Sequence, residues 1–292
     1  MMSGFYTSAQ EEDRSFDLHS PTVPLPGPAP LVIHFHGGAW RFGDKSSMLF
    51  SVNGQHRVRE RLQASGYFVA SVNYRLSHRA LFPAQLHDAK SAVRYFRAHA
   101  EQFGVDPQRI VVSGASAGGH LAQLLAATPD SGNAYLEGPD ADVASSDVAG
   151  AVSFYGVSDL RTIFDDRIAC GFPKDHPDDD GAEARLLGSG YPAPESGAAE
   201  QAWTWAHPVD YAKDQKLAPR HRPVFYVHGA DDSCVPWIQS GTPHRALRAR
   251  GVPTSLEIVP DAEHSDARIF HDDERLRRIV RWVEERNAAN LS

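Results

Sequence analysis

Short apolar runs alternate with stretches of helical period along most of this chain. Leu31-Val32-Ile33-His34-Phe35 is almost continuously apolar, the texture of a strand buried on both faces of a parallel sheet. Similar runs lie at 67–72, 110–112, 149–155 and 223–227, and Leu256 and Ile258 alternate in a last strand over 255–259. Residues 15–19 alternate and predict an edge strand. Between these runs, Leu86, Ala89, Val93, Phe96, Ala100 and Phe103 recur at helical spacing, and Gly104 closes the helix. Val58 and Leu62 lie four apart on a helix face that Gly66 can cap. Residues 242–250 predict a helix closed by Gly251. Residues 272–285 predict a terminal helix with Leu276, Ile279, Val280 and Val283 on one face. This alternation predicts an α/β fold over 1–292, one domain with a mostly parallel central sheet and helices on both faces.

The rhythm breaks over 157–206, where glycine, proline and acidic residues show little period. That stretch reads as a cap inserted into the domain and lying over its site. Trp203 and Trp205 near its end are candidates for lining a substrate pocket or for anchoring the cap. Its Asp178-Asp179-Asp180 run lacks the interspersed ligands of a cation loop and reads as a solvated turn. Residues 21–30, with five prolines, read as a stiff surface connection between strands.

Composition narrows the partners. With 292 residues the chain can bury a sizeable core, and a net charge of −8 argues against nucleic acid or an anionic membrane surface. No apolar run approaches the length of a membrane span. The first residues, 1–13, lack a basic segment followed by an apolar core, so no secretory signal is expected. Cys170 and Cys234 are the two cysteines, expected as unpaired thiols in a reducing cytoplasm.

The chemistry centres on Val111-Val112-Ser113-Gly114-Ala115-Ser116-Ala117-Gly118-Gly119-His120. A strand runs into Gly-x-Ser-x-Gly and then into a small-residue helix start, the setting of a nucleophile elbow. Three fixed positions of this kind arise by chance in about one chain in ten of this length, so the partners decide the matter. A serine hydroxyl needs a base within hydrogen-bond reach, and the base needs an orienting carboxylate. In a parallel sheet those groups should emerge at the carboxyl ends of later strands. After 224–227 come Asp231 and Asp232, of which one can serve; Asp159, after the preceding strand, is a weaker alternative. After 255–259 comes His264, whereas His244 falls in a predicted helix and His271 opens the terminal one. The charge of a tetrahedral intermediate also needs backbone donors. The amide of Ala117 follows the nucleophile, and Gly38 and Ala39 lie in a glycine-rich loop after the 31–35 strand. His36 is expected to fix that loop, and Trp40 to wall the pocket or pack beneath it.

The chain resembles α/β-hydrolases of the esterase/lipase group that carry an HGG-x-W loop. It is similar to hormone-sensitive-lipase-like carboxylesterases and more so to bacterial acetylxylan/feruloyl esterase-like enzymes. The matching pieces are His36-Gly37-Gly38-Ala39-Trp40, Asn73-Tyr74-Arg75-Leu76, Phe82-Pro83-Ala84, Gly114 through His120, His228-Gly229-x-x-Asp232-x-x-Val235-Pro236 and His264. The family's pattern places its acid on Asp232 rather than Asp231. Ala39 departs from the third glycine of many lipases in the group. The resemblance implies a short-acyl serine esterase with a Ser116–His264–Asp232 triad, a small-molecule ester as partner, and no metal or organic cofactor. The same triad would serve an amide hydrolase of the kynurenine-formamidase or small-peptidase kind, or a biosynthetic acyltransferase or cyclase. A non-catalytic binding protein on this fold would typically have lost the base. Oligomeric state is open, a homodimer included.

Overall fold

The computed structural model describes all residues except 24, 50–52, 178–180, 218–219 and 291–292, so the Asp178-Asp179-Asp180 run lies outside the described residues. Eight strands form one sheet in the order β1-β2-β4-β3-β5-β6-β7-β8. They are β1 (Met2–Phe5), β2 (Ser15–His19), β3 (Ala29–Phe35), β4 (Phe68–Val72), β5 (Val105–Ala115), β6 (Ala151–Phe154), β7 (Val224–Gly229) and β8 (Thr254–Val259). β1 and β2 pair antiparallel and β2 joins β4 antiparallel; every pairing from β4 onward is parallel.

The side-chain period of two sorts the core into two layers. Leu31, Ile33 and Phe35 pack with helices Ala84–Ala98, Ala117–Ala127 and Ile238–Ala249 on one face. Val32, Val69 and Val111 pack with helices His56–Ala64 and Asp273–Ala289 on the other. Each helix turns its apolar stripe inward: Leu86, Ala89, Val93 and Phe96 are all buried, as are Leu276, Ile279 and Val283.

Differences from the sequence pattern are local. β1 is a short edge strand whose apolar content is too low to stand out. Residues 157–206 contain helices Ile163–Ala169, Ala182–Leu187 and Ala198–Trp205, each of about two turns or fewer, too short to display a period. Among the described residues no helix is long and apolar enough to cross a membrane. Cys170 and Cys234 form no disulfide. The parallel strands place their carboxyl ends along one rim, and the loops that follow β3, β5, β7 and β8 meet there.

Candidate active site

Ser116 follows Ala115, the last residue of β5, and takes the strained conformation φ 53°, ψ −117°. Its amide donates to the Phe154 carbonyl of the neighbouring strand at 2.9 Å, and its own carbonyl accepts the His120 amide at 3.0 Å. The turn is held in place from both sides. The two glycines are required by close approach, not by a left-handed backbone. A Cβ on Gly114 would lie 2.1 Å from the Gly118 carbonyl oxygen, and one on Gly118 would lie 2.0 Å from that of Phe35.

His264 and Asp232 reach this serine from two other strands. The His264 Nε2 lies 3.0 Å from Ser116 Oγ, and its Nδ1 lies 2.8 Å from Asp232 Oδ2. Asp232 is fully buried, and the other carboxylate oxygen accepts the amides of Val235 (2.7 Å) and Cys234 (3.2 Å). Burial alone would raise this carboxyl. The charge of His264 and hydrogen bonds from His228 and His264 outweigh it and hold the group below the usual carboxylate range. His228 itself is anchored by Ser240 Oγ and the Val235 carbonyl, both at 2.7 Å. Asp231 is left out of this arrangement. Asp159 lies elsewhere, hydrogen-bonded to Arg161 at 2.7 and 2.9 Å, and makes no contact with His264.

The loop after β3 folds back over the serine. Ala39 and Trp40 both take left-handed conformations, φ 51° and 57°, although neither is glycine. Gly38, at φ 115°, admits no side chain: a Cβ there would meet the Phe42 carbonyl oxygen at 2.1 Å. Among the described residues, the amides of Gly38 and Ala39 donate to no backbone carbonyl. His36 stabilises the loop from beneath. Its ring stacks on Tyr74 at 4.4 Å, its Nδ1 donates to the Gly37 carbonyl at 2.7 Å, and the Tyr74 hydroxyl donates to the His36 carbonyl at 2.9 Å. Burial pushes the His36 imidazole down to about 4, so it stays neutral at pH 7.

Two cavities meet at Ser116. A cleft of about 750 Å³ is lined by Gly38, Phe42, Gln55, Tyr155, Cys234 and His264 among others. A pocket of about 60 Å³ lies on another side, between Trp40, Ala117, Val157, Ile163, Arg167 and Val235. Trp203 and Trp205, expected either to line a pocket or to anchor the cap, line neither of these two cavities. Trp203 is instead buried within the 157–206 stretch, with Nε1 3.2 Å from Ser189 and its ring against Tyr191 and His207. Trp205 packs against the main core, and its carbonyl accepts the Tyr211 hydroxyl. The spacing of the two tryptophans carried no information on the direction of either ring. Sequence reasoning also passed over Tyr155 and Cys234. Tyr155 stood at the carboxyl end of a recognised strand, which was the signal available.

The family described as BD-FAE matches residues 16–247. The chain belongs to that family. BD-FAE membership agrees with the curated relatives. The chain is 32% identical over 246 residues to the "Probable carboxylic ester hydrolase LipM" of Mycobacterium tuberculosis, covering 84% of this chain and 51% of LipM. It is 31% identical over 238 residues to "Esterase LipQ" of the same organism, covering 81% of this chain and 50% of LipQ. The chain therefore spans about half the length of these relatives. Among solved structures, a "Truncated form of carbohydrate esterase from gut microbiota" superposes with a TM-score of 0.79 at 23% identity, covering 99% of this chain and 97% of that one. An acetyl ester-xyloside bifunctional hydrolase from Caldicellulosiruptor lactoaceticus gives 0.68 at 26% identity, over 92% of this chain and 87% of that one. The fold of this BD-FAE chain is that of the α/β-hydrolase esterases.

Proposed function

We propose that this chain is a serine carboxylic-ester hydrolase that works through an acyl-enzyme. The observation that carries the proposal is the unbroken relay from Ser116 Oγ through His264 to buried Asp232, at 3.0 and 2.8 Å. The relatives, named as a carboxylic ester hydrolase and an esterase, support the same chemistry. Ser116 Oγ forms a bond to the ester carbonyl carbon, and its proton passes to His264 Nε2. Asp232 holds the Nδ1–H tautomer and stabilises the imidazolium. The amides of Gly38, Ala39 and Ala117 receive the oxyanion, each worth on the order of 3 kcal/mol in the transition state. His264 then returns the proton to the leaving alkoxide. In the second half His264 takes a proton from water as the water oxygen bonds to the acyl carbon. The acyl–Oγ bond then breaks, His264 returns that proton to Ser116 Oγ, and the acid leaves.

The acyl group is short in this reading. The pocket beside Ser116 is small, about 60 Å³ against about 750 Å³ for the cleft, which suits a short chain such as acetyl or propionyl. The alcohol portion then occupies the larger cleft. Residues 157–206 act as a cap, supported by Ile163, Arg167 and Ala182 in the wall of the small pocket and Pro177 in that of the cleft. A small ester is the partner, and a reducing cytoplasm suits two cysteines that form no disulfide.

A panel of p-nitrophenyl esters from acetate to decanoate tests this, with a formamide and an aminoacyl anilide alongside. The expected kcat/KM peaks at two or three acyl carbons, and Ser116→Ala lowers kcat by roughly 10⁴- to 10⁶-fold. Equal rates for wild type and Ser116→Ala overturn the nucleophile assignment. A preference for the anilide or formamide moves the enzyme to amide hydrolysis.

A further inference from the structure

We infer that Arg167, a residue of the 157–206 stretch, is a positioning residue for Asp232 and acts through a single peptide group. The inference rests on the proposed role of Asp232.

Arg167 is almost fully buried on the helix Ile163–Ala169. Its Nε and Nη2 donate to the Cys234 carbonyl at 3.0 and 2.8 Å, and its Nη1 donates to the Lys174 carbonyl at 3.0 Å. The Cys234 carbonyl and the Val235 amide belong to the same planar, conjugated peptide. That amide donates to Asp232 Oδ1 at 2.7 Å. A fixed guanidinium on the carbonyl oxygen draws electron density through the peptide and makes its N–H a stronger donor. Asp232 Oδ1 is thereby saturated from the Arg167 side, while Oδ2 stays aimed at His264 Nδ1 at 2.8 Å.

The other groups around the carboxylate do not duplicate this. His228, on β7, lies 3.3 Å from Oδ2, not from Oδ1. Cys170 and Tyr155 are within electrostatic reach of Asp232. Glu263 binds the amides of Ser233 and His264 and faces the loop from its exposed side. Among the described residues Arg167 is the cation that grips the acid loop's own backbone, and it comes from outside the strand framework that carries the three reacting side chains. The triad is therefore held correctly only when the 157–206 stretch is docked.

The test uses the full chain and two readouts. One is kcat and KM on a short-acyl p-nitrophenyl ester; the other is the downfield proton resonance of the His264 Nδ1–H···Asp232 hydrogen bond. Arg167→Met is expected to lower kcat by roughly 10- to 100-fold, the range for a small misplacement of a reacting group, with KM changed less than about threefold. The resonance should shift or broaden. Arg167→Lys, with one compact cation in place of a fork, is expected to be intermediate in both and gives a reading if Arg167→Met does not fold. Phe164→Leu alters the ring beside the guanidinium and leaves the donor in place; both readouts should stay at wild-type values. Three results overturn the inference: a resonance and kcat unchanged in Arg167→Met, or in Arg167→Lys where the Met variant does not fold; an effect on KM alone; or Phe164→Leu reproducing Arg167→Met. If wild type does not hydrolyse esters yet the resonance responds to Arg167→Met, the esterase reading falls and the positioning role stands.

Discussion

The ring of Tyr155 stands nearly edge-on to the imidazole of His264, with centroids 4.8 Å apart and planes inclined by 67°. Tyr155 is buried at the end of β6 and takes φ 40°, so the backbone accepts strain to deliver this ring. Its hydroxyl accepts from Gln55 Nε2 at 2.9 Å and lies 3.3 Å from Ser265 Oγ, which in turn accepts from Asn53 at 2.6 Å. The histidine loop is thus fixed by a wall and by a chain of hydrogen bonds. Tyr155→Phe keeps the wall, so kcat should stay within about threefold while urea denaturation shows a loss of about 1 kcal/mol. Tyr155→Ala removes the wall, and kcat should fall roughly 10- to 100-fold as the imidazole gains freedom to turn.

Ile163 reaches the pocket of about 60 Å³ from the 157–206 stretch and is buried. Ile163→Ala should lengthen the preferred acyl chain by one or more carbons in an ester panel. The same change should cost about 2–4 kcal/mol of stability, because the surrounding core collapses only partly. An unchanged chain-length profile would place the acyl group in the larger cleft.

Acid stability follows from histidines that folding keeps neutral. Burial pushes His34 down to about 3 and His36, His120 and His221 down to about 4. Below about pH 6.5 the unfolded chain binds protons that the folded chain refuses, so stability falls as pH drops from about 6.5 toward 4. Each group contributes up to about 1.4 kcal/mol per pH unit in that window. The Asp232 carboxyl adds nothing there, since its pKa lies lower in the folded state and its contribution is lost only below about pH 4. Urea midpoints at pH 7, 5.5 and 4.5 should decline steadily. Calorimetry at pH 5 should show net proton uptake on unfolding.

Ala39 pays for its left-handed backbone with a Cβ that glycine lacks. Ala39→Gly removes up to about 1 kcal/mol of strain and adds a similar entropy to the unfolded chain. The melting temperature should therefore move by less than about 3 °C, and the proposed role of the Ala39 amide as donor predicts that ester hydrolysis is retained. A large loss of kcat would mean that the methyl group shapes the pocket.

The sheet and the three residues that meet at its rim were legible because each announces itself locally. Val111 and Val112 precede Ser116, 224–227 precede Asp232, and Leu256 and Ile258 precede His264, so a strand end locates every one of them. The choice of Asp232 over Asp231 needed the family pattern, since both follow the same strand. Other features depend on where distant segments cross, and no local period records that. Arg167 meets the acid loop across 67 residues of sequence, and Gln55 meets Tyr155 across 100. The left-handed Ala39 and Trp40 were invisible for a different reason: side chains that disfavour this backbone give no hint that the fold imposes it. Trp203 shows the converse, a conspicuous residue whose indole is spent inside the 157–206 stretch on Ser189.

Every site loop springs from the same rim of the sheet, so the far rim carries none of the residues that meet at Ser116. Exposed Gln108 lies near the start of β5, at that opposite end. A linker attached there would anchor the molecule to a bead or an electrode with its mouth facing the bulk liquid, and reagents would diffuse in as freely as they do to untethered protein.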